Sequence, residues 1–356
     1  MVMPLLVVSQ LQAQVARKYA NEFLEIGVDA RALAMGKSVV TSASGAEAGY
    51  WNPAGLAGME QNIDASLMHA EYFGSIANFD YAAVAAPIDN TSTVGVSIIR
   101  FGVDDIPDTS LLVDPDGNVD YDRITRFSAA DYAMLLSYAK ASEKIDGLSY
   151  GANMKFIYRS LGRFAKGYGF GFDLGAQYKT GNWRFGAVAR DVTSTFTAWD
   201  IRIDDELAEV FAMTGNEMPD NNNEISLPKF VMGIGRDFAF GEDFTLLTEV
   251  NAGFTFDGER NALLSGSTGV SMYPSAGAEV GYRDFVFLRL GAGEFQREMQ
   301  FNNTLRTAWT PTMGLGFNYR GIRVSYALTD IGNQGVAMYS NIFSLSASFG
   351  GKNSLL

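Results

Sequence analysis

Apolar and polar residues alternate in steps of two along most of this chain. Between Tyr168 and Tyr178, every even position is apolar and every odd position is Gly, Asp or Gln. Successive side chains of a β-strand point to opposite faces, so this segment predicts a strand with one apolar face and one face of small or polar groups. The same alternation returns at 183–190, 313–319, 322–328 and 343–349.

The polar faces of these strands consist largely of Gly, Ser and charged residues, which make a poor surface for a water-soluble sandwich. An arrangement with the apolar faces outward and the polar faces inward fits this composition better. Apolar side chains then face lipid and polar ones face a lumen, as in an outer-membrane β-barrel. The pattern predicts a closed barrel of fourteen antiparallel strands, an even number, as is usual for bacterial barrels. The predicted spans are 62–70, 76–87, 91–101, 128–140, 147–160, 165–180, 182–192, 228–239, 243–256, 269–282, 283–293, 305–319, 321–331 and 338–349.

Short and long connections alternate between these strands. Every second connection is a short turn rich in Gly, Asn and Asp, as at 180–182 and 320–321, whereas the third and seventh are long, at 102–127 and 193–227. Barrels place short turns in the periplasm and long loops outside the cell. We therefore expect a bacterial outer-membrane location with both chain termini in the periplasm.

Composition narrows the class of protein further. The 356 residues suit one mid-sized barrel, and no run of 18 apolar residues is present to form a transmembrane helix. The 38 glycines relieve crowding on an inner wall, and the aromatic content of 13% suits two interfacial girdles. The absence of Cys excludes thiol catalysis, disulfides and thiolate metal sites. The net charge of −13 argues against a nucleic-acid partner.

The chain divides into four predicted segments. Residues 1–13 resemble the back half of a truncated secretory signal, with a short apolar core before a small residue at the cut. Residues 14–61 predict an amphipathic helix at 15–26 followed by a plug, because a segment rich in small residues has no stable place except inside or under the barrel. Residues 62–350 predict the barrel, and 351–356 a periplasmic tail.

Two motifs in the plug segment resemble those of a known family. They are Asp29-Ala-Arg31-Ala-Leu-Ala-Met35-Gly36 and Trp51-Asn52-Pro53-Ala54-Gly55-Leu56-Ala57. Together they resemble the N-terminal hatch of the PorV/PorQ family of Bacteroidota, which is related to the FadL-type fatty-acid channels. The resemblance implies a non-enzymatic component of the type IX secretion system. Such a protein collects exported cargo by the cargo's C-terminal domain and passes it from the translocon to the attachment machinery.

The plug motif also has a physical interpretation. Asn52 precedes a proline, which excludes it from the helical region, and its side chain can bond the local backbone. Gly36 and Gly55 allow the plug to approach the barrel wall closely, and Asp29 and Arg31 are candidates to anchor it to charged lumen residues. The motif either only folds the plug or also contacts a ligand or partner. Its residues are Asp29, Arg31, Met35, Gly36, Trp51, Asn52, Pro53 and Gly55.

The predicted lumen face carries both basic and acidic residues. Its basic residues are opposed by Asp173, Asp191, Glu249 and Glu279. We expect mutual pairing and anchoring of the plug, since an unpaired charge shielded from water is costly; an anion-favouring channel is the alternative. The candidate lumen residues are Lys155, Arg159, Arg184, Arg190, Glu249, Arg289 and Arg323.

Residues in patterns typical of catalytic or cofactor sites are otherwise scarce in the sequence, which favours a protein that is not an enzyme. The one histidine, His69, falls near the outer end of the first strand, where a polar interfacial residue is the simplest interpretation. The glycines at 167, 169 and 171 lie within a strand, so they do not form a phosphate loop. No cofactor is predicted, although calcium is an alternative to a solvated acidic loop at Asp114, Asp116, Asn118 and Asp120.

The seventh connection combines acidic residues with apolar ones, so it either folds over the mouth of the barrel or docks a partner. The candidate partner contacts are Phe196, Trp199, Phe211 and Met213. The favoured hypothesis is therefore a type IX component whose extracellular loops hold cargo or partner proteins. A FadL-like transporter of small hydrophobic compounds is the alternative, which an apolar pocket lined by residues such as Leu135, Phe285 and Phe287 would favour. A third is an accessory subunit of another outer-membrane complex.

Overall fold

A computed structural model describes residues 20–113, 118–203, 205–214, 223–256, 262–265, 269–299, 304–329 and 340–350; at 206–207, 213–214, 264–265 and 298 it describes the backbone only. The predicted signal at 1–13 and the tail at 351–356 lie outside these residues. The same holds for Asp114 and Asp116 of the candidate calcium loop.

The described residues form one antiparallel sheet of seventeen strands. In chain order they are β1 (Ile63–Tyr72), β2 (Ala77–Pro87), β3 (Ser92–Asp108), β4 (Thr125–Ala141), β5 (Leu148–Leu161), β6 (Ala165–Thr180), β7 (Trp183–Arg190), β8 (Thr195–Ile201), β9 (Asn223–Ser226), β10 (Lys229–Phe240), β11 (Phe244–Thr255), β12 (Leu264–Ser265), β13 (Ser271–Tyr282), β14 (Val286–Met299), β15 (Leu305–Tyr319), β16 (Ile322–Thr329) and β17 (Ser340–Phe349).

The sheet closes on itself, because β1 pairs with β2 on one side and with β17 on the other. Fourteen strands make the closed wall: β1 to β7, then β10, β11 and β13 to β17, with β7 pairing directly to β10 and β11 to β13. The other three strands are additions at one rim, where β8 pairs with β6, β9 with β8, and β12 with β13. The predicted fold, a closed fourteen-strand antiparallel barrel, is confirmed.

The helices in the described residues are short. None of them is long and apolar enough to cross a membrane. They are α1 (Ala30–Ala34), α2 (Ala48–Trp51) and α3 (Asp205–Thr214), with 3₁₀ turns at Glu22–Glu25, Pro53–Leu56 and Tyr121–Arg123. The predicted helix at 15–26 is represented in the described residues only by the first of these 3₁₀ turns.

The two ends of the barrel differ in their connections. At the turn end, short turns join the strands; two of them, at 283–284 and 320–321, have positive φ at both residues, as tight hairpin turns require. At the loop end lie the longer connections, including 109–124 and 191–228. Several strands run further toward the loop end than their patterns predict, notably β3, β4 and β14. A register shift between Val103 and Ile106 breaks the alternation in β3 but not its pairing.

The outward faces of the strands are apolar. On β15, Met313, Leu315 and Phe317 are each about half exposed, and glycines alternate with them on the lumen side. Tyr132 and Tyr138 both point outward from β4 and stand six residues, or about 20 Å, apart along the strand. On a tilted strand this separation is about 15 Å along the barrel axis, and the apolar Met134 and Leu136 face outward between the two rings.

Candidate functional site

The N-terminal segment from residue 20 to residue 61, here called the plug, lies inside the barrel. The amide of Ala30 donates to Ser344 Oγ on β17 (2.7 Å) and that of Thr41 to Glu249 Oε1 on β11 (2.7 Å). The Asn52 side chain donates to the carbonyl of Ala176 on β6 (3.0 Å). Because these strands lie on different sides of a closed wall, only a segment within the lumen can contact all of them.

The plug runs from one end of the lumen toward the other. Near the loop end, Asn21 Nδ2 donates to the hydroxyls of Thr197 (3.3 Å) and Ser226 (3.1 Å). At the turn end, the amide of Ala46 donates to Asp64 Oδ1 (2.8 Å), one residue into β1. The described chain therefore starts near the loop end and finishes at the turn end, after β17. The predicted periplasmic position of both termini concerns residues outside the described part.

Helix α1 is held to the wall by charge. The Asp29 carboxylate caps it, accepting from the amides of Arg31 (3.2 Å) and Ala32 (3.4 Å). Arg31 binds Glu279 of β13 through two hydrogen bonds, Nε to Oε2 (2.9 Å) and Nη2 to Oε1 (3.1 Å). Arg289 of β14 donates to the same carboxylate (2.6 Å). Glu279 thus joins two wall strands to the plug.

Two plug carboxylates have shifted pKa values. Burial and the nearby Glu47 carboxylate raise the pKa of Asp29 to about 6. Burial also raises the pKa of Glu25, but the charges of Lys229 and Arg190 outweigh it and hold that pKa at about 2. Glu25 is therefore ionised at neutral pH and forms an ion pair with Lys229 at the loop-end side of the plug.

Asn52 and Trp51 fix the second half of the plug. The fully buried Asn52 has extended backbone (φ −155°, ψ 105°), and its Oδ1 accepts from the amide of Ala54 (3.2 Å). Its Nδ2 donates to the carbonyl of Val40 (2.9 Å) as well as to the wall. Trp51 Nε1 donates to the carbonyl of Val28 (3.0 Å). One amide and one indole thus bond three stretches of plug backbone together.

Glycines of the wall make room for the plug backbone. A Cβ placed on Gly186 of β7 would lie 2.5 Å from the carbonyl oxygen of Val40, and one on Gly277 of β13 would lie 2.5 Å from that of Met35. Any larger residue there would displace the plug. The alternating glycines of the sequence are therefore docking positions. Those whose Cβ would meet the plug include Gly151, Gly175, Gly186, Gly233, Gly277, Gly291 and Gly314.

All seven candidate lumen residues point into the lumen. Lys155, on β5, lies between Asp173 (2.9 Å) and Asp191 (2.5 Å). Arg184 pairs with Asp237 at 2.8 Å, and Glu249 accepts from the plug. The remaining pairs are Arg159 with Asp131 and Glu224, Arg289 with Glu279, and Arg323 with Asp64 and Glu47.

Arg190 differs from the other lumen arginines. It forms no ion pair with any described residue; its guanidinium lies 5.0 Å from the Tyr50 ring centroid and 5.7 Å from that of Trp51. Its Nη2 donates to the carbonyl of Tyr50 (3.3 Å). This arginine stabilises the plug through aromatic faces rather than through a carboxylate.

The lumen is nearly filled in the described residues. One space between plug and wall, of about 70 Å³, lies toward the loop end and is lined by Leu24, Tyr50, Leu135 and Arg190 among others. A second, of about 50 Å³ at Asp29, Arg31, Glu47 and Arg323, is lined mainly by charged and polar groups. Each space holds a few water molecules at most. The described conformation is closed.

The apolar pocket that would favour a transporter is not formed by the expected residues. Leu135 is buried beside the loop-end space, whereas Phe285 is exposed in a turn at the opposite end of the barrel. Phe287 points into the lumen and stacks on Arg289. The alternation rule assigned a face correctly to residues within strands, but it could not place a turn residue or give the height of a side chain in the lumen.

The candidate partner residues are not together on one surface. Phe196 points outward from β8 and is about half exposed, but Trp199 points inward, with the Arg159 guanidinium 4.9 Å from its ring. Trp199 is therefore a candidate contact on the inner face of β8, which pairs with β6 at the loop end. Phe211 lies in α3, and the side chain of Met213 is outside the described residues.

The candidate calcium loop is described only in part. Asp120 accepts from the amide of Asp122 (3.0 Å) and so caps a 3₁₀ turn, and Asn118 is the other ligand candidate within the described residues. No group of three or more acidic, His or Cys side chains within the described residues is placed to hold a metal ion.

Comparisons with known proteins identify the fold. No family model matches the chain, and no curated protein matches it. Among solved structures, the toluene transporter TodX of Pseudomonas putida matches with a TM-score of 0.55 at 13% identity, covering 91% of this chain and 99% of that one. The monoaromatic hydrocarbon channel CymD matches with a TM-score of 0.54 at 14% identity (91% and 98%). A FadL homologue of Pseudomonas aeruginosa matches with a TM-score of 0.52 at 12% identity (90% and 98%).

The first two neighbours are named as a transporter and a channel for hydrocarbons, and all three match along nearly their whole length. At 12–14% identity the likeness concerns the fold alone. The chain has the FadL-like barrel fold of outer-membrane proteins.

Proposed function

We propose that this chain is an outer-membrane transporter of small hydrophobic compounds, in which the plug must move to open a path. The observation that carries the proposal is a FadL-like barrel, matched over nine-tenths of the chain by proteins named for hydrocarbon transport, with a plug filling its lumen. The apolar band contacts outer-membrane lipid, the turn end faces the periplasm, and the loop end faces outward.

The plug is bound to the wall by contacts that can break without unfolding the barrel. The fourteen wall strands pair with one another in a closed ring, independently of residues 20–61. The plug is held by hydrogen bonds, by ion pairs such as the two-fold one between Arg31 and Glu279, and by apolar packing against wall residues such as Phe79. A ligand approaching from the loop end would first meet the space beside Leu24 and Leu135.

An engineered disulfide between plug and wall, here called the plug lock, tests this proposal. The sequence contains no native cysteine that could compete with the introduced pair. Ser38 Oγ in the plug lies 2.7 Å from Ser275 Oγ on β13, so Ser38→Cys with Ser275→Cys should join plug to wall when oxidised. The control is Leu67→Cys with Leu345→Cys, direct cross-strand partners on β1 and β17 whose side chains face outward, away from the plug.

Uptake of a labelled monoaromatic hydrocarbon by cells would be measured with each pair, oxidised and reduced. We expect oxidation of the plug lock to reduce uptake at least tenfold and reduction to restore it, while the control pair has no effect. Uptake that is indifferent to the lock would overturn the proposal.

A second candidate function is protein handling of the PorV-like type, in which cargo C-terminal domains, the type IX translocon or the attachment machinery bind at the loop end. The nearly filled, ion-paired lumen favours it, since such a role needs no passage. Binding at the loop end would survive the oxidised plug lock. Recovery of secreted proteins with a shared C-terminal domain on the locked variant would support this function, and a preparation free of such proteins would count against it.

A further inference from the structure

The outward face of β1, β2 and β3 carries three adjacent ionisable side chains, whereas outward residues elsewhere in the apolar band are mostly apolar. His69, Asp80 and Arg100 are direct cross-strand partners on these three strands. His69 Nδ1 lies 2.7 Å from Asp80 Oδ1, and Arg100 Nη1 lies 3.5 Å from Asp80 Oδ2. We call these three residues the charged row.

The charged row lies in the loop-end half of the band, beside its aromatic border, since Arg100 is the direct cross-strand partner of Tyr132. His69 is six residues above the turn end of β1, Asp80 seven above that of β2, and Arg100 eight above that of β3. With a tilted strand rising about 2.5 Å per residue along the barrel axis, the row stands about 15–20 Å above the turn end of a band about 25 Å tall. Outward residues at matching heights on other strands are apolar, namely Met154, Val250, Met313 and Phe343.

Two further features surround the charged row. Above it, the β1–β2 hairpin tip exposes Phe73 (58%) and Ile76 (63%), and Phe73 has a positive φ of 56°, which is uncommon for an aromatic residue. Like the outward face of β4–β6, where an open groove measures about 520 Å³, this face has an open groove of about 620 Å³, lined in part by the row itself. The apolar side chains of that groove are Leu67, Ala82, Ile98, Val324, Phe343 and Leu345.

Lipid is a poor occupant for this surface. Charged side chains that face hydrocarbon destabilise a barrel, and ionisable groups at membrane depth commonly mark functional sites. The charged row and its neighbours carry more acidic than basic groups, because Glu71 and Asp104 flank the row. Arg100 Nη2 lies 3.3 Å from Asp104, and His69 Nε2 lies 4.0 Å from Glu71. Anionic lipid head groups would be repelled by three carboxylates that face one guanidinium and one imidazole.

We propose that the outward face of β1–β3 is an interface for another outer-membrane protein whose wall presents basic residues. Only an occupant that itself lies in the membrane can reach the charged row from the side. Basic groups would pair with Asp80, Asp104 and Glu71, while the groove and the hairpin tip supply the apolar contact. The surface is separate from the plug and from β8, so the inference is independent of what the barrel transports.

The first test separates an interface from a structural ion pair. The triple variant His69→Leu, Asp80→Leu, Arg100→Leu makes this wall apolar, and its control is Arg236→Leu, which removes an outward arginine near the turn end of β10. Unfolding temperatures would be measured in lipid vesicles. We expect the triple variant to unfold at the same temperature as the parent chain or higher, because three ionisable side chains no longer face lipid. A lower unfolding temperature would assign the row a structural role and overturn the proposal.

The second test captures the occupant in the native host membrane. Single cysteines at Ile76 and, as a control on the opposite wall, at Val250 would each carry a photoactivatable crosslinker. We expect an adduct at Ile76 with one outer-membrane protein, crosslinked through a Lys- or Arg-bearing membrane segment, and at least tenfold less adduct in the triple variant. The proposal would be overturned by an adduct with a second copy of this chain or with lipid only. It would also be overturned if both positions gave the same adduct or if the triple variant left the adduct unchanged.

Discussion

Arg31 of the plug and Glu279 of the wall form a two-fold hydrogen-bonded ion pair, with Nε–Oε2 at 2.9 Å and Nη2–Oε1 at 3.1 Å. The two residues are 248 positions apart in the chain, so the pair forms only when the barrel has closed around the plug. The same carboxylate also accepts from Arg289, which makes Glu279 the point where plug and wall charges meet.

Removing Arg31 should therefore loosen the plug without opening the wall. In Arg31→Gln, Glu279 keeps Arg289 as its partner but loses the plug, and we expect a loss of about 3 kcal/mol in plug stability. Limited proteolysis within residues 20–61 would measure it. Arg184→Gln is the matched control, since Arg184 pairs with Asp237 from wall strand to wall strand. Equal protease sensitivity of the two variants would contradict the assignment.

A methyl group on the wall should have a similar effect where the plug backbone touches it. In Gly186→Ala, the new Cβ would approach the carbonyl oxygen of Val40 to 2.5 Å, and we expect a cost of about 1–3 kcal/mol. Hydrogen exchange of the amides at 38–43 would report the displacement. Gly253→Ala is the control, because its Cβ would meet other atoms only at 3.6 Å or beyond. Unchanged exchange in Gly186→Ala would show that the plug can adapt.

Asn52 should tolerate no substitution that removes its amide. Asn52→Ala removes this donor from the carbonyls of Val40 and Ala176, at a cost of about 1–3 kcal/mol. The Val40 carbonyl keeps Gln177 Nε2 as a donor (3.0 Å). Asn52→Asp preserves the shape and the bond to Ala54 but places a carboxylate against those carbonyls. We expect Asp to destabilise the plug more than Ala, as measured by thermal unfolding in detergent. The opposite order would mean that shape matters more than the donated bonds.

Asp29 should make plug stability depend on pH between about 4 and 6. Burial and Glu47 raise its pKa in the folded protein to about 6, from an ordinary value of 3.8. The folded state thus binds more protons in this window, and the stability contributed by protonated Asp29 is lost as pH rises through it. Asn caps helices and tolerates positive φ, so Asp29→Asn should flatten this pH dependence. Proteolysis rates of the plug from pH 4 to 7 would check it; an unchanged slope would exclude Asp29 as the titrating group.

The sequence alone determined the architecture of the wall. A repeat of two residues assigns each side chain to the lipid or the lumen face, and the turn residues divide the chain into fourteen strands, because both signals are local. It also identified residues such as Arg31 and Asn52 as plug residues and Lys155 as a lumen residue.

The tertiary structure alone decided which of these residues meet. The register of the strands places Glu279 opposite Arg31 and Gly186 against Val40. It also aligns His69, Asp80 and Arg100 in one outward row. The position along the strand places Phe285 and Leu135 at opposite ends of the barrel. Local alternation fixes a face but not a height. Contacts between residues hundreds of positions apart depend on how the whole barrel closes, through the stagger of its strands.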